Sequence, residues 1–336
     1  MFPSTQDPQV IRLLRSFREA LLDREDAQLK RMAKQWLEIE QLLENDMLIL
    51  AREIQEAKFA GLPITEQLIA RMERYKILNE QLKREVLKYA KDKAAADIAA
   101  EQLAYGLHGI EGASAAIKAI KSGVMFNLLS TDALTDYIGM LGDGTPLYRL
   151  LKEAYPDALD GVIKGLLNGV ARGLGPNQIA REMVNGLGLG LDRITLIART
   201  EQLRMWRTST AKQYEESGVV RHSRRLCMKD KRTCLACLMA DGEIIPLKSV
   251  LSDHPRGRCT SIPVVVGAPE IRFQLGKDWF LEQNEAIQRE MLGDGMYELW
   301  QSQGFDISQI GGTAVSKTWG NSPRVKSIQE MRDTES

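Results

Sequence analysis

The feature that most constrains this chain is an apolar stripe that runs through its first sixty residues. Leu29, Met32, Trp36, Ile39, Leu43, Met47, Leu50 and Ile54 recur at three- and four-residue steps, the spacing that places side chains on one face of an α-helix. Charged residues fill the other faces, so the pattern predicts one long amphipathic helix over 10–58. "AGLPIT" (60–65) interrupts it, with Gly61 suited to a helix end and Pro63 to a restart. A second stripe follows in Leu68, Met72, Tyr75, Leu78, Leu82, Val86 and Tyr89. Two amphipathic helices joined by a short turn predict an antiparallel hairpin, here an arm over 1–105. At a rise of ~1.5 Å per residue the first helix would extend about 70 Å, more than a compact lobe could cover. The hairpin is therefore read either as packing on its own protein or as an arm that docks on a partner or a second copy. Residues 146–307 are expected to fold without residues 1–100.

Beyond the arm the patterning changes three times. Residues 106–145, with "YGLHGIEGASAAIKAIKSG" beginning just before them and "MLGDGTPLY" closing them, read as a flexible Gly/Ala-rich linker or lobe, with His108 an isolated loop residue. Residues 146–218 read as helical, starting at Pro146 and including helices over 157–172, 177–186 and 192–217. "RGLGP" and "NGLGLGL" punctuate them and Gly218 closes the last. Within 219–266, "VVRHSRRLC", "GEIIPL" and "CTSIPVVV" are short, β-branched and bounded by turn signals, so they read as strands of a small sheet. Over 267–336 helical spacing returns through Trp279, Phe280, Ile287, Met291 and Leu292, and the polar tail after Asn321 reads as mobile. The expected fold is mostly α: a long N-terminal helical hairpin, a helical middle region, a small α+β module and a helical C-terminal tail.

Composition narrows the function classes. Lys plus Arg equals Asp plus Glu at 45 each, which gives no general pull toward nucleic acid or anionic membrane. The N-terminus lacks the basic-then-apolar order of a secretory signal, and no stretch reaches the ~18 apolar residues of a membrane span. The expectation is a protein made in a reducing cytoplasm, without a membrane partner and without disulfides. "GLGLGL" is no phosphate loop, because no strand precedes it and no Lys-Ser/Thr follows. With no nucleophile–base constellation either, the chain reads as non-enzymatic, with no catalytic residue and no small-molecule substrate.

All four cysteines lie between residues 227 and 259. Cys234 and Cys237 form a C-x-x-C pair, His254 and Cys259 an H-x4-C pair, and sixteen residues separate the two. Two chelating pairs joined by a loop are the layout of a tetrahedral structural zinc site, here with three sulfurs and one imidazole. The alternative is a metal-free cluster of buried thiols. Cys227 falls in a strand alternation and reads as core. A thioredoxin-like pair should open a helix within a βαβ unit, whereas this one sits in a basic turn. A nuclease reading of "SDHPRG" fails for want of any later histidine. Residues 221–259 carry nine Arg/Lys against four acids, an excess of five positive charges. Such a patch suits phosphates or an acidic protein surface, or is a solvated face with scattered ion pairs.

These residues carry a family resemblance. "IARTEQLRMWRTSTAKQY" (197–214), "DKRTCLACLMADGEIIPL" (230–247), "HPRGRCTSIPVV" (254–265) and "GKDWFLEQNEAIQREMLGDGMYELWQSQGFDI" (276–307) together resemble the phage head morphogenesis family, the minor head proteins similar to protein F of phage Mu. The resemblance is specific over 146–307 and weak over the hairpin. It implies a virion protein present in few copies at the portal vertex of the head, assembled in the bacterial host cytoplasm. Its partners would be the portal and other head proteins, and its work head assembly and DNA packaging or ejection. The alternative is a packaging accessory protein that binds DNA weakly and non-specifically through the basic Cys/His module. The family's Cys-x-x-Cys falls on Cys234 and Cys237, its His-Pro on His254 and Pro255, and its final cysteine on Cys259. Many members read His-Pro-x-Cys-Arg-Cys, and this chain has Gly257 in place of the first of those two cysteines. Arg199, Thr200 and Glu201 match as well, with helix packing or ion pairing as their default role.

Overall fold

In the computed structural model, which describes residues 8–230 and 232–333, the long stripe becomes helix α1, Gln9–Phe59. The stripe positions from Met32 to Ile54 are buried, Leu29 is half-buried, and Val10, Ile11, Leu14 and Leu21 are buried further upstream. Gly61, at φ 81°, turns the chain out of the helix. Thr65 then caps α2 (Glu66–Arg71) by accepting the Leu68 N–H at 3.2 Å. Met72 is extended, with ψ 133°, and divides α2 from α3 (Glu73–Tyr89). A π-helical turn at Ala90–Ala94 leads into α4 (Ala95–Ile120). A 3₁₀ turn at Thr131–Tyr137 precedes α5 (Tyr148–Leu151), α6 (Ala154–Ala171) and α7 (Pro176–Glu216). Among the described residues, no helix is long and apolar enough to cross a membrane.

The chain divides into two compact units. The first comprises 23–101 and 137–201, the second 1–22, 102–136 and 202–336, and the boundaries fall within α1, α4, the 3₁₀ turn and α7. In the first unit the two stripes meet as an antiparallel hairpin. Trp36 and Tyr89 pack edge to face with centroids 5.6 Å apart, and Tyr89 Oη donates to the Met32 carbonyl at 3.4 Å. α6 packs on α3, and Tyr155 of α6 donates to Asn79 of α3 at 2.7 Å. The expected interruption at "NGLGLGL" does not occur, because α7 is continuous from 176 to 216. Two of its glycines, Gly186 and Gly190, sit at close approaches. A β-carbon at Gly161 of α6 would lie 2.0 Å from the Gly186 carbonyl oxygen of α7, and one at Gly186 would lie 2.1 Å from that of Gly161.

The same misreading applies to the expected linker. Residues 106–120 continue α4, and His108 lies on that helix, edge-on to Phe17. A β-carbon at Gly109 would lie 2.0 Å from Ser209 Oγ on α7. Only the remainder, 121–145, is turn-rich, and it is held in place where Gln213 accepts the Leu129 N–H at 2.8 Å and donates to the Asn127 carbonyl at 2.9 Å.

The second unit holds the expected small sheet, β1 (Val220–Leu226), β2 (Ile244–Pro246) and β3 (Thr260–Val265), with helix α8 (Leu235–Met239) between β1 and β2. The order is β2-β1-β3, antiparallel throughout, with Ser223 opposite both Ile245 and Pro263. Leu226 and Ile262 share a core cluster with Val10, Ile11 and Leu14 of α1. The start of α1 is therefore part of this core, which argues against the expectation that 146–307 folds without residues 1–100. Helices α9 (Gly276–Leu281), α10 (Glu285–Leu292) and α11 (Asp294–Gln303) follow. The expected mobile tail has regular structure through Asp333: β4 (Gly311–Ser316) and β5 (Gly320–Val325) form a hairpin, and α12 (Ile328–Asp333) buries Met331 in the cluster that contains Cys237, Cys259 and Phe280. Of the hairpin, Val325 packs against that cluster.

Candidate metal centre

The two ligand pairs arrive on two loops of the small α+β module. After β1 the chain turns through Lys229, whose φ of 52° is left-handed. Asp230 closes the next turn, accepting the Arg232 N–H and the Thr233 hydroxyl, both at 2.9 Å. That turn sets Cys234 at the N-cap of α8, where its sulfur accepts the Cys237 N–H at 3.4 Å. The C-x-x-C pair thus opens a short helix, contrary to the turn expected, but within an antiparallel sheet and not a βαβ unit. The second pair sits between β2 and β3. Gly257 N–H bonds to the His254 carbonyl at 2.9 Å across a tight turn, with Pro255 second and Arg256 third at φ 62°. Lys229 and Arg256 are the only left-handed non-glycine residues among those described. Both lie in the loops that deliver the ligands, where local strain is tolerated for position.

Cys234, Cys237 and His254 lie close enough together to hold a metal ion, their ligand atoms all within 4.8 Å of one another. His254 Nε2 is 3.3 Å from Cys234 Sγ and 3.2 Å from Cys237 Sγ. His254 Nδ1 faces the Pro255 carbonyl at 2.9 Å. A proton held there leaves the Nε2 lone pair free for a metal. Cys259 enters through a second triangle, with Cys237 and Asp253, under the same 4.8 Å limit. Cys237 is common to both groups, and Cys259 is not brought within that limit of both Cys234 and His254. Cys227, as expected, is core: fully buried, its N–H donating to Asp241 Oδ1 at 2.7 Å. Burial pushes its thiol pKa up, with Asp241 adding to the effect.

Electrostatics distinguishes the ligands. The hydrogen bond from the Cys237 thiol, ahead of that from His254, brings Cys234 down to about 4 against the effect of burial. Its hydrogen bond to Cys234, helped by the Asp253 carboxylate, raises His254 to about 9. The Cys237 thiol is pushed up by donating to Cys234 and Cys259 and by burial. These shifts favour a Cys234 thiolate beside a His254 imidazolium, and a divalent ion bound there would have to displace the His254 Nε2 proton and those of the other thiols.

Sequence reasoning missed the support behind these ligands. Asp253, its side chain fully buried, accepts the His254 N–H on Oδ1 at 3.0 Å and the Cys259 N–H on Oδ2 at 3.3 Å. One carboxylate therefore sets both members of the second pair. Arg207 on α7 donates to Asp253 Oδ2 at 2.8 Å and to the Cys259 carbonyl at 3.1 Å. Asp253 also accounts for Gly257: a β-carbon there would lie 2.2 Å from Asp253 Oδ2. The Asp-His dipeptide in "SDHPRG" was the one visible signal. Nothing local pointed to Arg207, 46 residues upstream of Asp253.

The basic segment is less free than its composition suggests. Arg224 pairs with Glu270, Arg225 with Glu243, Lys229 with Asp241 and Arg258 with Asp230, at 2.7, 3.2, 2.7 and 2.6 Å. Arg221, Arg232 and Lys248 are exposed, and Lys231 lies outside the described residues. Arg199 forms its expected ion pair, with Glu25. Fold and site together define a mostly helical protein with a small antiparallel module built around a Cys/His cluster of metal-binding geometry. No family model, no curated protein and no solved structure matches the chain.

Proposed function

We propose that this protein is a non-enzymatic minor head protein of a phage, associated with the portal and other head proteins in head assembly and DNA packaging or ejection, and that its Cys/His cluster holds a structural zinc ion. The observation that carries this reading is convergence. The segments at 197–214, 230–247 and 254–265, which carry the sequence resemblance, meet at one place: Arg207 of the first reaches Asp253, beside His254 of the third, which in turn touches Cys234 and Cys237 of the second. Shared motif residues that also form one physical unit are better grounds for a common module than motifs scattered over a surface. The donor set of three sulfurs and one imidazole suits zinc, and a closed set of four suits a structural site. Such an ion would tie the loop before α8 to the loop before β3 and supply folding energy directly.

The test is fractionation of virions from a phage that encodes the chain, with copy number counted by quantitative mass spectrometry. A few copies sedimenting with portal-containing heads are expected, and complete absence from heads would refute the structural role. Metal analysis of chelator-free protein should give about one equivalent of zinc per chain, as one four-ligand site requires. The DNA-binding alternative is disfavoured by the carboxylates already facing Arg224, Arg225, Lys229 and Arg258. Any DNA association should be weak and lost as salt rises.

A further inference from the structure

Arg225 is the group that the cluster leaves unexplained. It sits on β1 with its side chain only 2% exposed. Nη2 donates to the Ser252 carbonyl at 2.5 Å and Nε to Glu243 at 3.2 Å. Nη1 is buried and has no hydrogen-bond partner. The nearest carboxylate oxygen, Asp253 Oδ1, is 3.8 Å away, too far for a hydrogen bond. That oxygen lies 3.6 Å from Cys237 Sγ, and the Asp253 carboxylate forms a triangle with the Cys237 and Cys259 sulfurs. A buried guanidinium N–H left unmatched is costly, and native structures rarely keep one without a reason.

Charge points the same way. Asp253 is one carboxylate facing two buried guanidiniums, those of Arg207 and Arg225. Glu243 is 58% exposed and offsets little of that excess through solvent. A divalent ion held by three thiolates and a neutral imidazole carries one net negative charge, and with Asp253 it balances both arginines. Asp253 itself is a poor ligand here, because Arg207, Cys259 N–H and His254 N–H already occupy its oxygens.

Resting on the zinc reading above, we propose that Arg225 Nη1 donates an N–H···S hydrogen bond to the metal-bound thiolates of Cys237 and Cys259, making Arg225 the charge-balancing and positioning residue of a three-thiolate, one-imidazole centre. The site then favours thiophilic divalent ions over ions that prefer oxygen.

Cobalt(II) and ¹¹³Cd are the probes. Wild-type protein should bind one cobalt with a tetrahedral spectrum and three-thiolate charge-transfer intensity. Arg225→Met should weaken cobalt binding by about 10–100-fold, the usual cost of losing an outer-layer partner, and shift the charge-transfer band to lower energy, because an unbonded thiolate is the better electron donor. Glu243→Gln, which keeps the guanidinium, should leave both unchanged. In ¹¹³Cd-loaded, ¹⁵N-arginine-labelled wild type, an Arg225 guanidinium proton should show scalar coupling to cadmium, and this reading holds whether or not Arg225→Met folds. Failure of wild type to bind cobalt or cadmium would refute the metal reading and this proposal with it. Binding with no such coupling, or with an unshifted band and full affinity in Arg225→Met, would overturn the role of Arg225 and leave the metal reading standing.

Discussion

At Gly257 a β-carbon would lie 2.2 Å from Asp253 Oδ2 and 2.3 Å from its Cγ, and Asp253 cannot retreat while Arg207 and two backbone N–H groups hold it. Gly257→Ala should therefore destabilise the protein by about 1–3 kcal/mol, the range for overpacking a filled site, and chemical denaturation would measure it. A variant as stable as wild type would mean that the carboxylate moves freely. Asp230 supplies a pH prediction. Burial raises its pKa, but the paired guanidinium nitrogens of Arg258, at 2.6 and 2.7 Å, and the Thr233 hydroxyl outweigh that and bring it to about 2. The folded value lies below the unfolded one of ~3.9, so the contribution is fully present above the unfolded value and is lost as pH falls through about 2. Carboxyl titration by NMR should place Asp230 near that value, and Arg258→Gln should move it upward. A midpoint near 4 in wild type would refute the pairing in solution. The candidate ligand residues were legible because their chemistry is written in residue type and spacing. Their supports, Arg207, Arg225 and Asp253, are ordinary charged residues whose roles depend on what they face.

Among the elements, α6 and α7 show where local reading fails. Glycine is a poor helix former, and "NGLGLGL" reads as a break on that ground. Close packing against α6 outweighs the propensity cost, because only bare backbones can approach as Gly161 and Gly186 do. Gly161→Ala should lower the melting temperature, since its β-carbon would meet the Gly186 carbonyl oxygen at 2.0 Å. Gly188, two residues further along α7, would meet nothing within 4 Å. Gly188→Ala should instead stabilise by up to ~1 kcal/mol through helix propensity alone. Equal effects at the two positions would show that packing does not distinguish them. The β4–β5 hairpin escaped detection for a related reason: its faces are mixed, with Val315 83% exposed and Ser322 buried, so no clean alternation marks it.

For the whole molecule, the start of α1 belongs to the core that holds β1 and β3. Removing residues 1–22 would delete Val10, Ile11, Leu14 and Leu21, each at most 3% exposed. At roughly 1.5–3 kcal/mol per buried aliphatic side chain, that loss rivals the ~5–15 kcal/mol stability of an ordinary domain. The truncated chain should be insoluble or open to protease throughout 202–333. A soluble, protease-resistant product would restore the N-terminal hairpin as a separable arm.

From sequence alone came the long helix, its hairpin partner, the three strands of the small sheet and the Cys/His residues of the candidate metal cluster. Each depends on interactions between near neighbours or on the intrinsic chemistry of a side chain. The tertiary structure alone decided that the glycine-rich stretches are helical, that the polar tail has regular structure through Asp333, and that Asp253 stands between two buried arginines. Those outcomes depend on which surfaces meet, as when Arg207 reaches Asp253 across 46 residues of chain, and a contact of that kind leaves no periodic trace in the residues beside it.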